Sequence, residues 1–229
     1  MVHRMMDHDC GLIIGPMFIF ISELSFLYKT QAFDHAIRFM YAAASTGIGF
    51  AGGGFGNNMI VRKAALDAGG EYQAVPQSVT EDAALISFIA QKTPYKVRAG
   101  IGSDIQIMTE TEQTWTQFII QGIRWTKGGI FSPDIATKIS FSMLMGLISI
   151  GVIAIPFLVL VSNLWLLPFA VCCAMLMNTM GAFLISGNAL KPINLFDICI
   201  QILFTPVLNT FLTLMTLFRV PIYWKGKKV

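Results

Sequence analysis

The chain has 229 residues, 55% of them hydrophobic and only 13% charged, against roughly 25% charged in an ordinary soluble domain. Its net charge of +3 is too small to argue for nucleic acid, and no Lys/Arg stripe interleaved with aromatics accompanies it. The 80 residues from Ile139 to Phe218 hold two charges (Lys191 and Asp197) and the other 149 hold 27, which excludes a uniform soluble globule, a disordered charged tail and an all-membrane bundle.

Met1 to Cys10 is polar and charged, and the apolar run from Gly11 is broken by Glu23, so no signal peptide is expected. Leu12 to Ile21 reads as a short strand, then a turn or extended piece through Pro16. The spacing of Phe33, Ile37, Met40 and Tyr41 predicts a helix over Tyr28 to Ala44. Gly47 to Asn58 is glycine-rich loop and strand edge, where the backbone can closely approach a neighbour. It is not a P-loop, because no Gly-Lys-Ser/Thr follows. Arg62 to Ala68 predicts a short helix ended by Gly69-Gly70. Ser78-Val79-Thr80-Glu81 has the capping-box pattern and opens a helix through about Gln91. Tyr95 to Arg98 and Ile105 to Met108 are candidate strands, and Glu112 to Lys127 predicts a helix stopped by Gly128-Gly129. Strands alternating with helices point to an α/β layer over residues 1–137.

Residues 138–229 read differently. Between Lys138 and Lys191 lie 52 residues without a charge, and a membrane span needs about 20 apolar residues. Ile139 to Val161 and Leu164 to Ile185 are the expected first two spans, joined by Ser162-Asn163. A third apolar stretch, Leu195 to Phe218, carries Asp197, Gln201, Pro206 and Asn209. Pro206 should kink it, and its polar groups should face protein or water rather than lipid. The basic tail (Arg219, Lys225, Lys227, Lys228) favours the cytoplasm. So does the first part, and three complete crossings cannot put both there. Either one stretch is interfacial or re-entrant, or the tail lies outside. The four cysteines show no framework or metal spacing and read as small packing residues.

Two constellations could carry chemistry. Thr80-Glu81-Asp82 stands at a predicted helix start, where acidic residues complement the helix dipole and where a rigidly held carboxylate also suits a general base. In Gln121-Gly-Ile-Arg124-Trp125, helical spacing puts Gln121, Arg124 and Trp125 on one face. Trp115, Phe118, Ile119 and Gly122 form a separate stripe for burial. Arginine offers a rigid fork for diphosphate oxygens, tryptophan a flat apolar surface for a sugar ring, and glutamine a hydroxyl partner. The competing reading is an ordinary juxtamembrane helix, with Arg124 and Lys127 at headgroups and Trp125 in an aromatic belt.

The series Gly56-Asn57-Asn58-Met59-Ile60-Val61-Arg62-Lys63, Gly69-Gly70, Thr80-Glu81-Asp82 and Gln121-Gly122-Ile123-Arg124-Trp125, in that order before an apolar block, resembles the second half of membrane-bound family 2 glycosyltransferases. These are the cellulose, hyaluronan and ceramide-type sugar transferases. The resemblance covers about Gly15 to the C-terminus, where Tyr223-Trp224-Lys225-Gly226-Lys227 is similar to a Trp-Lys-Gly-Arg ending, with Lys227 in place of Arg. It implies a partial GT-A-like, Rossmann-type cytoplasmic layer followed by transmembrane helices in an inner or plasma membrane. It also implies a nucleotide-sugar donor, usually a UDP-sugar, with Mg or Mn, and a lipid or polysaccharide acceptor. By the same resemblance Asp82, in the Thr-Glu-Asp motif with Glu81, is the base of a single inverting displacement. Gln121, Arg124 and Trp125 line the acceptor and diphosphate region, and Asn58 matches the Asn of a Gly-x-Asn-x-x-x-Arg-Lys stretch.

Three departures qualify that expectation. The preceding half that supplies the family's nucleotide pocket and Asp-x-Asp metal motif is not found, so the chain reads as truncated and inactive without it. Asp7-His8-Asp9 has the letters of that motif, but it directly precedes the strand at Leu12 to Ile14, whereas the family inserts a helix. It reads as a pre-strand turn, and no metal ligand is assigned. Gly122 replaces the usual Gln or Arg, removing a polar contact. The rival readings are a non-catalytic membrane protein or relic derived from such an enzyme, and a small transporter. The few ionisable residues in the apolar block argue against the transporter.

Overall fold

The computed structural model describes residues 5–20, 25–49, 53–76, 80–161, 169, 173–174, 176–177, 179–181, 184, 193–224 and 227–228. Within them the chain is mixed α/β, mostly helical with small sheets. The first apolar run forms two strands, β1 (Cys10–Ile14) and β2 (Met17–Ile19), interrupted at Gly15-Pro16. All eight of their residues are buried, which explains a continuous apolar run rather than an alternating one. β3 (Met59–Val61) pairs antiparallel with β1, with Ile13 opposite Ile60. β4 (Lys96–Ala99) pairs parallel on the other side, and β5 (Ile107–Thr109) runs parallel to β2.

Helices cover these strands. α1 (Phe26–Gly47) buries Ala32, Ala36, Phe39 and Ala43 against Met17, Phe18, Ile19 and Phe55. α2 (Lys63–Gly69) ends at Gly70, whose φ of 100° is the left-handed conformation of a helix C-cap. α3 (Glu81–Lys92) packs Leu85, Ile86, Phe88 and Ile89 against Leu12, Ile14 and Ala65. Thr80 stands at its N-cap position; the expected cap, Ser78, lies outside the described residues.

α4 (Trp115–Ile130) starts at a capping box in which Thr114 and Gln117 exchange side-chain to backbone hydrogen bonds. It corrects the expected stop, for the helix runs through Gly128 and Gly129 and ends at Ile130. The glycines serve contact rather than termination. A Cβ at Gly128 would lie 2.5 Å from Thr80 Cγ2, and one at Gly129 would lie 2.4 Å from the Phe141 ring. Gly122 has a similar explanation. Its Cβ would stand 2.9 Å from Leu212, so this position faces an apolar helix and has no room for a long polar side chain.

Two further helices are long and apolar enough to cross a membrane, α5 (Ile135–Val161) and α6 (Leu195–Leu217). On α5, Phe141, Met145 and Ile148 are buried while Ile139, Met143, Leu147 and Ile150 are exposed, an apolar face on a helix side that no described residue covers. α6 contains Pro206 within its helical span. Its polar residues turn inward, as expected. Asp197 pairs with Lys29 at 2.9 Å and caps the helix together with Asn194, and the Gln201 amide donates to Thr30 Oγ1 at 2.9 Å. The expected middle span falls mostly outside the described residues. A short antiparallel pair, β6 (Tyr223–Trp224) and β7 (Lys227–Lys228), closes the chain.

Candidate active site

Asp82 sits in the first turn of α3, where the helix dipole favours a carboxylate. One of its oxygens accepts a hydrogen bond from the Gly56 backbone N–H at 3.0 Å and the other accepts from Ala83 N at 2.9 Å. The glycine-rich loop therefore does approach a neighbour. A Cβ at Gly56 would crowd Asp82 Cβ at 3.1 Å, and one at Gly54 would meet Ile86 at 2.8 Å and Ile14 at 2.9 Å. Small residues let the loop lie against the sheet and hold the carboxylate.

From α4, Gln121, Arg124 and Trp125 reach the same place. With Asp82 they line a polar cavity of about 470 Å³, together with Gln31, His35, Phe55, Asn57, Glu110 and Glu112. Burial depresses the Arg124 proton affinity, while the carboxylates of Asp82 and Glu112 oppose that shift. Carboxylate and guanidinium are thus within electrostatic reach of one another across a shared cleft. The Gln121 amide donates to Glu112 Oε1 at 2.9 Å. Glu112 is in turn fixed by Gln31, which accepts from its backbone N–H at 2.8 Å and donates to its carbonyl at 3.0 Å.

A second cavity, about 370 Å³ and largely apolar, opens between α1, α4, α5 and α6, lined among others by Tyr41, Phe141, Leu144, Met145 and Ile148. Phe55, Asp82 and Trp125 line both. At this junction Arg38 sits 4.8 Å from the Trp125 ring and pairs with Asp34 at 2.6 Å. The arrangement has a chemical use: a carboxylate at the boundary can meet a hydroxyl whose polar side lies in one cavity and whose apolar body lies in the other.

The whole chain, residues 1–229, matches the family model described as Glycosyl transferase family 21. The chain belongs to this glycosyltransferase family. No curated protein matches it. Membership agrees with the paired motifs at the level of a glycosyltransferase, through family 21 and not through the family 2 description that the motifs resemble.

Two expected site residues of this family 21 chain lie elsewhere. Glu81 is exposed and lines neither cavity. Asn58 is buried, with its amide donating to the carbonyls of Pro16 at 2.6 Å and Ile105 at 3.0 Å. Both of its hydrogens hold the backbone around β2, and its neighbour Asn57 lines the cavity instead. Asp7 and Asp9 occupy the turn before β1 and pair across to β4. Arg98 binds both carboxylates, and Lys96 reaches Asp9 at 2.8 Å, a hydrogen bond that holds the Asp9 pKa below its usual value. Among the described residues no group of three or more His, Cys, Asp or Glu side chains could hold a metal. The Mg or Mn ion implied by the resemblance finds no ligand set there.

Glu112, Gln31 and His35 escaped the sequence reading. Glu112 precedes the α4 N-cap, so no helical spacing links it to Gln121. On α1 the Asp34–Arg38 pair did carry a signal, opposite charges four residues apart.

The contact between Gly128 and Thr80 makes a stability prediction. Helix propensity alone favours Gly128→Ala by about 1 kcal/mol, whereas forcing a methyl against Thr80 costs about 1–3 kcal/mol. Gly128→Ala should therefore lower the midpoint of thermal unfolding, and Thr80→Ala in the same chain should recover part of the loss. Gly146→Ala, with nothing within 4 Å of its Cβ, should not lower it. A rise with Gly128→Ala would show that α3 and α4 are not packed this closely.

Proposed function

We propose that this family 21 chain belongs to an enzyme that transfers a sugar from a nucleotide sugar, in the resemblance a UDP-sugar, to the hydroxyl of a lipid at a membrane surface. The observation that carries this reading is the place of Asp82, where a polar cavity meets an apolar one lined by the two candidate spans. Of the family 2 types resembled, the ceramide-like one, with an apolar acceptor, suits this geometry better than one acting on a growing polysaccharide.

In this reading the acceptor hydroxyl gives its proton to Asp82 as its oxygen bonds to the anomeric carbon. The bond from that carbon to the diphosphate breaks on the opposite side, inverting the configuration. Charge grows on the leaving diphosphate, and Arg124 offers fixed donors for it. Trp125 supplies an apolar face to the sugar ring. The described strands and helices then form part of a GT-A-like layer on the cytoplasmic side. α5 and α6 belong to a multi-pass membrane block.

Membranes containing the intact protein, incubated with radiolabelled UDP-sugars and a total lipid extract, should yield a labelled product soluble in organic solvent. A labelled product that is instead insoluble polymer would overturn the lipid acceptor. Absence of any product, together with no retention of UDP by the purified protein, would overturn the enzyme reading in favour of a non-catalytic relative.

A further inference from the structure

His35 belongs to no motif. It lies in the middle of α1, 3% exposed, and lines the polar cavity beside Asp82. Its ring is stacked on Phe55 at 5.2 Å with an interplanar angle of 6°, and meets Trp125 edge-on at 5.4 Å. The three rings form an aromatic corner, since Phe55 and Trp125 also approach to 6.3 Å. Burial lowers the His35 pKa to about 4, opposed by Asp34 and by a hydrogen bond to the Met17 backbone. The ring is therefore neutral near pH 7. The bond to Met17 raises the pKa, so a ring N–H donates to a backbone carbonyl there. Nδ1 has no partner among the described residues, which assigns the proton to Nε2 and leaves Nδ1 a bare acceptor.

A buried acceptor without a donor is costly, and this one does not stand alone. Gln121 Oε1 lines the same cavity and is also buried without a hydrogen-bond partner among the described residues. Its amide nitrogen is committed to Glu112, so the side chain cannot simply turn over and donate. Apart from its charged groups, among them Asp82 and the Arg124 guanidinium assigned to the diphosphate, the cavity thus presents two neutral acceptors and a flat aromatic corner. Neutral acceptors beside aromatic faces suit a sugar ring, whose hydroxyls donate and whose C–H faces pack on rings. A phosphate, which brings acceptors of its own, does not suit them.

We infer that His35 is a specificity-determining residue whose Nδ1 accepts a hydrogen bond from a sugar hydroxyl bound beside Asp82, with Gln121 Oε1 accepting a second. This rests on the transferase reading of the site. The hydroxyl can belong to the donor sugar or to a sugar already present on the acceptor.

Two substitutions separate recognition from support. His35→Gln keeps a donor at the ε position for Met17 and removes the δ acceptor. His35→Asn keeps an oxygen at the δ position and loses the Met17 bond. If Nδ1 recognises a hydroxyl, His35→Gln should lower kcat/KM about 10- to 100-fold, while His35→Asn retains most of it. In a series of monodeoxy donor sugars and a series of monodeoxy acceptors, one analogue should be used equally by the parent and by His35→Gln. The series that contains it identifies the source of the hydroxyl. Equal loss on every analogue, or a larger loss with His35→Asn than with His35→Gln, would show that the ring only supports the fold. Where turnover is too slow to follow, equilibrium dialysis of the labelled donors reads the same contrast. Turnover by the parent with unchanged selectivity in His35→Gln overturns this inference alone, whereas absence of both turnover and binding in the parent overturns the site reading and this inference with it.

Discussion

Asp82→Asn should reduce sugar transfer by about 10²- to 10⁴-fold, the usual contribution of a positioned general base, with little change in membrane insertion or thermal unfolding. The amide is nearly isosteric and its oxygen still accepts one of the two backbone hydrogens, from Gly56 or Ala83, that orient the carboxylate. It cannot take a proton from a hydroxyl. Glu81→Gln gives the internal comparison. Glu81 shares the motif and the helix turn but is exposed and off both cavities, so its loss should be small. Comparable initial rates for Asp82→Asn and the parent would refute the assignment, and equal losses at both positions would point to the helix start rather than to a base.

Arg124→Ala should cost about 10²- to 10³-fold in kcat, as removal of a donor to a developing oxyanion does. Because Arg124 also lies near Asp82 and Glu112, its removal leaves two carboxylates facing one cavity without their cation. Arg124→Lys is informative here, since it restores the charge but not the planar fork that suits a diphosphate. Recovery by Lys to well under half of the parental rate is expected, and full recovery would mean that only the charge matters. Should Arg124→Ala affect KM but leave kcat intact, its role would be binding rather than stabilisation of the leaving group.

The local features of this site were legible in the sequence because they follow helical spacing. Gln121, Arg124 and Trp125 were placed on one face by their positions alone, and they line one cavity. The strand at Leu12, the body of the helix over Tyr28 to Ala44, which extends to Phe26 and Gly47, and the Gly70 cap were also readable from pattern and turn chemistry. What escaped depends on contacts between distant segments. Glycines at the end of a predicted helix ordinarily signal a stop, but here Thr80 and Phe141 press against them and the helix continues. The small residue at 122 reads by sequence as a lost polar contact, whereas in the fold Leu212 lies against it. Asn58 fits its motif by letter, yet the fold spends both its hydrogens on Pro16 and Ile105. His35 and Glu112 have no local signal at all, because the cavity that gives them meaning exists only once α1, α3 and α4 have come together.

The Lys29–Asp197 pair and the Gln201–Thr30 hydrogen bond join successive turns at the start of α6 to two adjacent residues at the start of α1. Two attachments one turn apart along α6 oppose its sliding past α1. In the proposed lipid transfer α6, which lines the apolar cavity together with Asp82, then acts as a gauge rod for how far an acceptor must rise before its hydroxyl meets that carboxylate.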